Sequence, residues 1–223
     1  MRIYHGSEFI VTKPEYGRGR KNNDYGQGFY CTQDMDLARE WAVDQDRDGY
    51  VNSYDIDLSA LKVLALNSDD YCILHWVTLL LNNRRFELET PLSREAYRYL
   101  SENFMPDLGE ADIVIGYRAD DSYFAYAQDF VNGEISLTQL NKAMHLGNLG
   151  EQVFIKSRKA FDRIRYAGSE PASAAEWYER KKSRDHKARD GYHRMSRQPY
   201  VKGELYMIRI LDEEVKPDDP RLQ

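Results

Sequence analysis

The chain has 223 residues, 42% of them hydrophobic, and a formal net charge of −6, which is enough for one domain with its own core. The longest apolar run, residues 73–81, is far shorter than the roughly 20 residues that span a membrane, so we expect a cytoplasmic protein without a membrane partner. Cys31 and Cys72 lack neighbours at metal-ligand spacing, so we expect reduced core thiols and no metal site.

The first predicted element is an N-terminal strand. Residues 1–4 alternate apolar and polar side chains, so His5, Gly6 and Ser7 come where this strand ends. The end of a strand is a suitable place for a site, because it holds an imidazole and a hydroxyl on a rigid element.

A loop follows at residues 13–23, rich in Gly, Asn and cations. It is either a solvated linker or a phosphate-binding segment. In the second interpretation Arg18, Arg20 or Lys21 reaches the pyrophosphate of a dinucleotide, which cations and free backbone N–H groups favour.

A second motif occupies residues 24–32. Gly26 and Gly28 precede a β-prone run, residues 29–32. Glycine lets the backbone pass close to a ligand, while Tyr30 is held on a strand. A phenol ring is thus available to a flat ligand with polar edges.

The middle of the chain mixes helices and strands. Asp34 is suited to cap the first predicted helix of this section. His75 lies in the apolar run at residues 73–81, so we expect a buried or interface histidine there. The predicted elements are a helix at 34–43, strands at 49–58 and 63–66, and a helical insertion at about 70–105. This order excludes a simple strand-helix-strand repeat and favours an α+β fold.

Residues 112–161 continue the pattern with a buried strand at 112–117. Asp120 and Asp121 follow it, and we expect one of them to cap the next helix in preference to a catalytic pair. The further predicted elements are helices at 123–131 and 136–146, glycines at 147 and 150 that end the second helix, a strand at 151–157, and a turn or helix at 158–161. Glu151 stands at the entrance of that strand.

The last section is predicted to contain a basic helical arm at about 170–202. Residues 170–203 hold nine Lys or Arg against five acidic residues. Three interpretations stay open, namely a solvated helix face, contacts to nucleic-acid phosphates, and docking of an acidic partner protein. A strand at 203–211 and a frayed acidic tail at 212–223 complete the predicted elements.

Together, His-Gly-Ser on a first strand and the later Tyr-Gly-x-Gly-Phe-Tyr resemble the nicotinamide-binding half of ADP-ribosyltransferases of the His-Tyr-Glu type, related to diphtheria toxin and poly(ADP-ribose) polymerase. The resemblance implies a single domain over residues 1–223 with a split core of two mostly antiparallel sheets and helical insertions. It also implies that His5 bonds the adenosine ribose of NAD, Gly6 and Ser7 hold the nicotinamide amide, and Tyr30 stacks on the nicotinamide ring. Gly28 belongs to the same NAD-binding set.

The family's third element is a Glu that opens a later strand, and Glu151 is the match. Cleavage of the bond between nicotinamide and ribose passes through a cationic sugar, which a carboxylate bonded to the 2-hydroxyl stabilises. Catalysis is therefore expected from Glu151 with Tyr30 and His5. Gln152 is the alternative for this position. If Gln152 occupies it, catalysis is expected to be weaker or of a different kind.

The resemblance implies a mono-ADP-ribosyltransferase, a bacterial toxin or defence effector, that uses NAD as substrate without a metal. Its target would be a macromolecule, with nucleic acid slightly favoured over protein because of the basic aromatic arm, and a neutralising antitoxin protein would be its partner. An NAD glycohydrolase and a non-catalytic module that binds NAD or ADP-ribose remain as alternatives. An RNA 2-phosphate transferase is disfavoured, because it would want several basic residues in place of the Tyr and Glu pair.

Overall fold

The computed structural model of the chain describes residues 1–119, 121–146 and 150–222, and within them it shows an α+β fold with two sheets, as predicted. The strands are β1 (Arg2–Ser7), β2 (Phe29–Cys31), β3 (Gly49–Ile56), β4 (Val63–Ala65), β5 (Ile113–Tyr117), β6 (Glu151–Ile155) and β7 (Ile164–Ala172). The helices are α1 (Met35–Ala42), α2 (Ile73–Asn83), α3 (Pro91–Asn103), α4 (Asp121–Val131), α5 (Leu137–Ala143), α6 (Arg158–Phe161), α7 (Ala174–Ser196) and α8 (Met207–Asp212).

The strands form a three-stranded sheet in the order β1-β3-β7 and a four-stranded sheet in the order β2-β6-β5-β4. The paired strands are antiparallel except for β4 and β5, which are parallel. A backbone bridge joins the two sheets, where Tyr4 and Thr32 exchange N–H···O bonds of 2.8 and 2.9 Å. Near the end of β1, Gly6 lies against Ala38 and Ala42 of α1.

Apolar side chains from both sheets fill the space between them. This inner core holds buried residues of five strands and of α6, namely Ile3, Cys31, Tyr54, Ile56, Ile113, Val153, Ile155 and Ala160. Val153 and Ile155 of β6 belong to it, whereas Phe154 packs into a larger core with α2 on the opposite face. Strand β6 is therefore buried on both faces, as alternating side-chain directions allow.

The helices predicted between residues 71 and 105 are α2 and α3. Trp76 and Leu80 of α2 are fully buried, and His75 is buried as expected. Helix α3 begins with Pro91 behind Thr90, whose hydroxyl accepts a hydrogen bond from Ser93 N at 3.0 Å. Among the described residues, no helix combines the length and apolar character that a membrane crossing requires.

The strand predicted at residues 203–211 is wrong, because its second half forms helix α8. Met207 and Ile210 are fully buried three positions apart, whereas Ile208 is 56% exposed. This spacing of buried residues is helical, but nearly every residue from 205 to 211 is apolar, so the sequence alone does not show which of them are buried and also fits a strand. Packing of α8 against α3 decides between the two.

The tail at 212–223 is predicted to fray, and in the structure residues 212–222 are instead packed. Val215 and Leu222 are 2% and 4% exposed. Tyr99 of α3 donates a hydrogen bond from its hydroxyl to Val215 O at 3.0 Å. Acidic composition suggested an exposed tail, but two apolar side chains in it bury themselves in the core.

One further difference concerns the section before that tail. Strand β7, which pairs with β3, has no sequence prediction because Gly168 and Pro171 interrupt its pattern, yet Pro is tolerated on an edge strand. The basic arm is helix α7, which packs on α1 through buried Trp177. The proposed cap at Asp120 and the glycine stop at 147–149 lie outside the described residues.

Val215→Ala tests whether the tail at residues 212–222 packs on the core. Because the Val215 side chain is buried, we expect the free energy of unfolding to fall by about 1.5–3 kcal/mol in urea titrations. Val201→Ala is the matched control, since Val201 is 50% exposed, and its effect should stay within about 0.5 kcal/mol. Equal, small effects of the two substitutions would show that the tail is frayed.

Candidate functional site

A cavity of about 760 Å³ lies where β1, β2 and β6 meet the loop at residues 13–23. Its volume is in the range of about 300–1,000 Å³ that small-molecule sites occupy. The seven residues predicted to bind NAD all line it, namely His5, Gly6, Ser7, Arg18, Arg20, Gly28 and Tyr30. The structure thus brings together two motifs and a loop that are separated along the chain.

His5 is linked to the second motif by its own side chain. Its Nδ1 lies 2.7 Å from Tyr30 O, and because a carbonyl only accepts, Nδ1 carries the proton. Burial lowers the pKa of His5, so the ring is neutral at pH 7. Its Nε2 is then an acceptor at the wall of the cavity.

Tyr30 is held rigidly at both ends. Its hydroxyl accepts a bond from Tyr25 N at 3.0 Å and donates to Gly26 O at 2.7 Å. Its ring lies 4.8 Å from that of Phe154, the residue opposite it on β6. Burial raises the pKa of Tyr30, so the phenol stays protonated and acts as a fixed aromatic surface.

The side chain of Ser7 is positioned by Asn52, a residue that no sequence motif marks. Asn52 of β3 is fully buried, and its Nδ2 donates to Ser7 Oγ at 3.1 Å and to Phe9 O at 3.2 Å. Its Oδ1 accepts from Val11 N at 2.8 Å. Ser7 Oγ in turn donates to Phe9 O at 2.6 Å. Asn52 therefore shapes the chain that leaves β1, and Ser7 Oγ keeps one lone pair for a ligand.

The motif glycines are explained by protein packing. A Cβ on Gly6 would lie 2.0 Å from Ala38 O of α1, and a Cβ on Gly28 would lie 2.5 Å from Ile155 O of β6. Neither position accepts a side chain. The backbone at Gly28 therefore lies close to the neighbouring strand β6, where a close approach to a ligand was expected. The backbone at Gly6 lies close to helix α1.

The loop at residues 13–23 folds over the cavity and is tied to the second motif. Gln27 Nε2 donates to Gly17 O at 2.6 Å and to Gly19 O at 2.9 Å. Arg18 Nη1 pairs with Glu15 at 3.0 Å, and both side chains are largely exposed. An exposed pair contributes little to stability, so an anionic ligand can compete for Arg18 at low cost.

The structure places Glu151 and Gln152 on opposite faces of β6. Gln152 lines the cavity and is 3% exposed. Glu151 lines a separate depression beside Thr32 and Asp34, where its carboxylate accepts a hydrogen bond from Asn67. Glu151 is therefore not brought together with His5 and Tyr30. The cause is strand alternation, because Gln152 shares a face with Phe154, which packs on Tyr30.

A carboxylate does reach the cavity, from Asp24 at the head of the second motif. Asp24 is 5% exposed. Its Oδ1 accepts from Arg84 Nη1 at 2.8 Å, and its Oδ2 accepts from Ala119 N at 2.9 Å and from Gln152 Nε2 at 3.1 Å. Its adjacency to the glycines was the sequence signal that could have found it.

The charge of the lining is positive. Among the described residues, four arginines and two carboxylates line the cavity, namely Arg18, Arg20, Arg84, Arg118, Glu15 and Asp24. The guanidinium of Arg118 lies 4.3 Å from the ring centroid of Trp41, which also lines the cavity. Neither Arg84 nor Arg118 was predicted, because one follows an apolar helix and the other a buried strand. An excess of cations suits an anionic ligand.

The basic helix α7 is partly neutralised within the protein. Arg184 Nη2 lies 2.6 Å from Glu40 of α1, and Arg180 pairs with Glu176 on the same helix at 2.9 Å. Arg189 pairs with Asp185 at 3.0 Å. Of these three acidic partners, only Glu40 lies outside the segment, because Glu176 and Asp185 are already counted among its five acidic residues.

The chain belongs to the family DUF3990, described as "Protein of unknown function", which it matches over residues 1–166. The match contains every residue that lines the cavity. No curated protein and no solved structure matches the chain. Within the described residues, no group of three or more His, Cys, Asp or Glu side chains is arranged to hold a metal ion.

The lowered pKa of His5 predicts a pH dependence of stability. The unfolded chain takes up a proton near pH 6.5, whereas folded His5 does so only at lower pH, so stability is lost as pH falls from 7 towards 5. One such group contributes at most about 1.4 kcal/mol per pH unit. In His5→Asn, urea unfolding should therefore show a smaller fall over this range than in wild type.

His75 contributes to the same background in both proteins, because burial lowers its pKa too. His193→Asn, at an exposed position of α7, is the matched control and should keep the wild-type slope. If His5→Asn also keeps that slope, His5 is not held neutral by burial.

Proposed function

We propose that the cavity binds NAD and that the protein is an NAD-dependent mono-ADP-ribosyltransferase. One observation carries the proposal. The seven residues that the resemblance assigns to NAD, drawn from two motifs and a loop, line a single cavity of suitable volume.

The chemistry of the lining fits the parts of NAD. Neutral His5 offers Nε2 to a ribose hydroxyl, and the fixed ring of Tyr30 offers a face to the nicotinamide. Ser7 Oγ can accept an N–H of the nicotinamide amide beside the Gly6 backbone. Arg18 and Arg20 lie on the loop over the cavity, where they would reach the pyrophosphate.

In the proposed reaction, the bond between ribose C1 and the nicotinamide nitrogen breaks. The bonding electron pair stays with the nicotinamide, which leaves as a neutral molecule, and the ribose becomes cationic. A nucleophile on the target attacks C1 and loses its proton. Gln152 lines the cavity, and it is the residue that would accept a hydrogen bond from the ribose 2-hydroxyl in place of Glu151.

A neutral amide stabilises a cationic sugar less than a carboxylate does, so the expected rate is lower than with Glu in this position. The same observation supports a second candidate, a non-catalytic module that binds NAD or ADP-ribose. An NAD glycohydrolase would use the same residues and pass the ribose to water.

The two sheets and the helices inserted between β4 and β5 are compatible with the split core of ADP-ribosyltransferases, and we extend the proposal to that fold. The proposed role is that of a bacterial toxin or defence effector that acts on a macromolecule in the cytoplasm, with an antitoxin protein as its partner. Nucleic acid stays slightly favoured as target because aromatic residues accompany the cations of α7, although several of those cations are paired.

Incubation with NAD labelled on the adenosine, in a cell lysate, tests the proposal. A transferase leaves label on a macromolecule, and separate nuclease and protease digestion identify its class. Release of nicotinamide without labelled macromolecule would indicate a glycohydrolase. Saturable binding without release would indicate the non-catalytic module, and absence of binding would contradict all three.

Single substitutions on β6 test the assignment of the ribose acceptor. We expect Gln152→Ala to lower nicotinamide release about 100-fold, the order of effect of one lost hydrogen bond in a transition state. Glu151→Ala is the matched control one position away, and its rate should stay within about threefold of wild type, since Glu151 lies outside the cavity. The reverse ranking would return the catalytic role to Glu151.

A further inference from the structure

The side chain of Gln152 is held in one orientation by two acceptors of the protein. Its Nε2 donates to Asp24 Oδ2 at 3.1 Å and to Tyr117 O at 2.9 Å. A carboxamide nitrogen carries two hydrogens, so both are used. Among the described residues, none makes a hydrogen bond to Gln152 Oε1, although the residue is only 3% exposed at the wall of the cavity.

An acceptor oxygen without a partner among the described residues, on a side chain that lines the cavity, is available to a hydroxyl of a ligand. The reversed amide is excluded by charge. It would set Oε1 against a carboxylate oxygen and a carbonyl oxygen, each about 3 Å away, and both of these only accept. Because Asp24 Oδ2 and Tyr117 O only accept, they hold the nitrogen of the amide and leave its oxygen for the cavity.

Asp24 is itself fixed in place. Arg84 Nη1 donates to Oδ1 at 2.8 Å, and Ala119 N donates to Oδ2 at 2.9 Å. The oxygen that holds Gln152 is thus also bonded to the backbone that follows β5. Asp24 as a whole is 5% exposed, which leaves little freedom for another arrangement.

We propose that Asp24 is a positioning residue that locks the Gln152 carboxamide with Oε1 turned into the cavity as a hydrogen-bond acceptor. This proposal rests on the proposed function, in which Oε1 accepts a hydrogen bond from the ribose 2-hydroxyl of NAD. Gln152 Oε1 then takes the place that an oxygen of a catalytic carboxylate would have beside the ribose. Asp24 acts through Gln152 and need not touch the substrate.

Asp24→Asn tests this role at constant volume. The site of Oδ1 faces a donor of Arg84 and the site of Oδ2 faces the donors of Ala119 and Gln152, so an asparagine N–H meets a donor in either orientation. We expect the Gln152 amide to lose its fixed orientation. Nicotinamide release should fall about 100-fold in kcat, as for a misplaced reacting group, with KM changed by less than about threefold.

Arg84→Met in the same chain separates positioning from charge. With the guanidinium removed, the asparagine introduced at position 24 can turn its nitrogen to that side and its oxygen to Ala119 and Gln152, which restores the lock without a carboxylate. We therefore expect Asp24→Asn/Arg84→Met to recover at least tenfold of the rate lost in Asp24→Asn. Arg84→Met alone supplies the baseline, and urea unfolding of each variant gives the folded fraction.

A second measurement does not depend on NAD chemistry. The side-chain amide of Gln152, identified in ¹⁵N NMR as the signal missing from Gln152→Ala, should be protected from hydrogen exchange in wild type. Protection should be lost in Asp24→Asn and regained in the double variant.

The outcomes are distinct. Loss of protection and rate in Asp24→Asn with recovery of both in the double variant supports the proposal. Wild-type protection in Asp24→Asn, or a double variant no better than Asp24→Asn, overturns the positioning role. If wild type neither binds nor cleaves NAD, the proposed function fails, and the protection pattern alone decides for or against the lock.

Discussion

The pairing of β2 with β6 is the interaction on which the site depends. It sets Tyr30 opposite Phe154, with their ring centroids 4.8 Å apart. Because side chains alternate along a strand, this register also decides that Gln152 enters the cavity and that Glu151 does not. A shift of one residue would exchange the two and would turn Val153 and Ile155 out of the core between the sheets.

The ligand-facing groups are supported by bonds between segments that are distant in the chain. His5 is bonded to the backbone of Tyr30, and the Tyr30 hydroxyl is bonded to the turn at Tyr25 and Gly26. Asp24, which starts that turn, is bonded to Gln152. Displacing any one of these residues would therefore disturb the others, and the cavity is preorganised by the same contacts that hold the sheets together.

Much of the secondary structure could be predicted from the sequence, because long amphipathic helices and capped starts carry local signals. Asp34 caps α1 and Thr90 caps α3 as residue type and position suggest. The C-terminal elements could not be predicted, since Met207, Ile210 and Val215 are ordered by contacts with α3 that have no local signature. Strand β7 was hidden by Gly168 and Pro171, which an edge position tolerates.

The candidate site could be predicted in part. His5, Ser7 and Tyr30 carry recognisable motifs, and they do converge on one cavity. The face of β6 could not be predicted, because Val153, Phe154 and Ile155 are all apolar and buried, so their alternation does not distinguish the two faces. Asn52, Arg84 and Arg118 contribute through tertiary contacts alone, and no local pattern marks them.

A crystal structure of the protein grown with NAD would show whether this cavity is the NAD site. We expect density for NAD in this cavity, with the nicotinamide against the ring of Tyr30 and a ribose hydroxyl within hydrogen-bond distance of Gln152 Oε1. NAD bound elsewhere, or an empty cavity at a concentration of NAD that saturates binding in solution, would contradict this expectation.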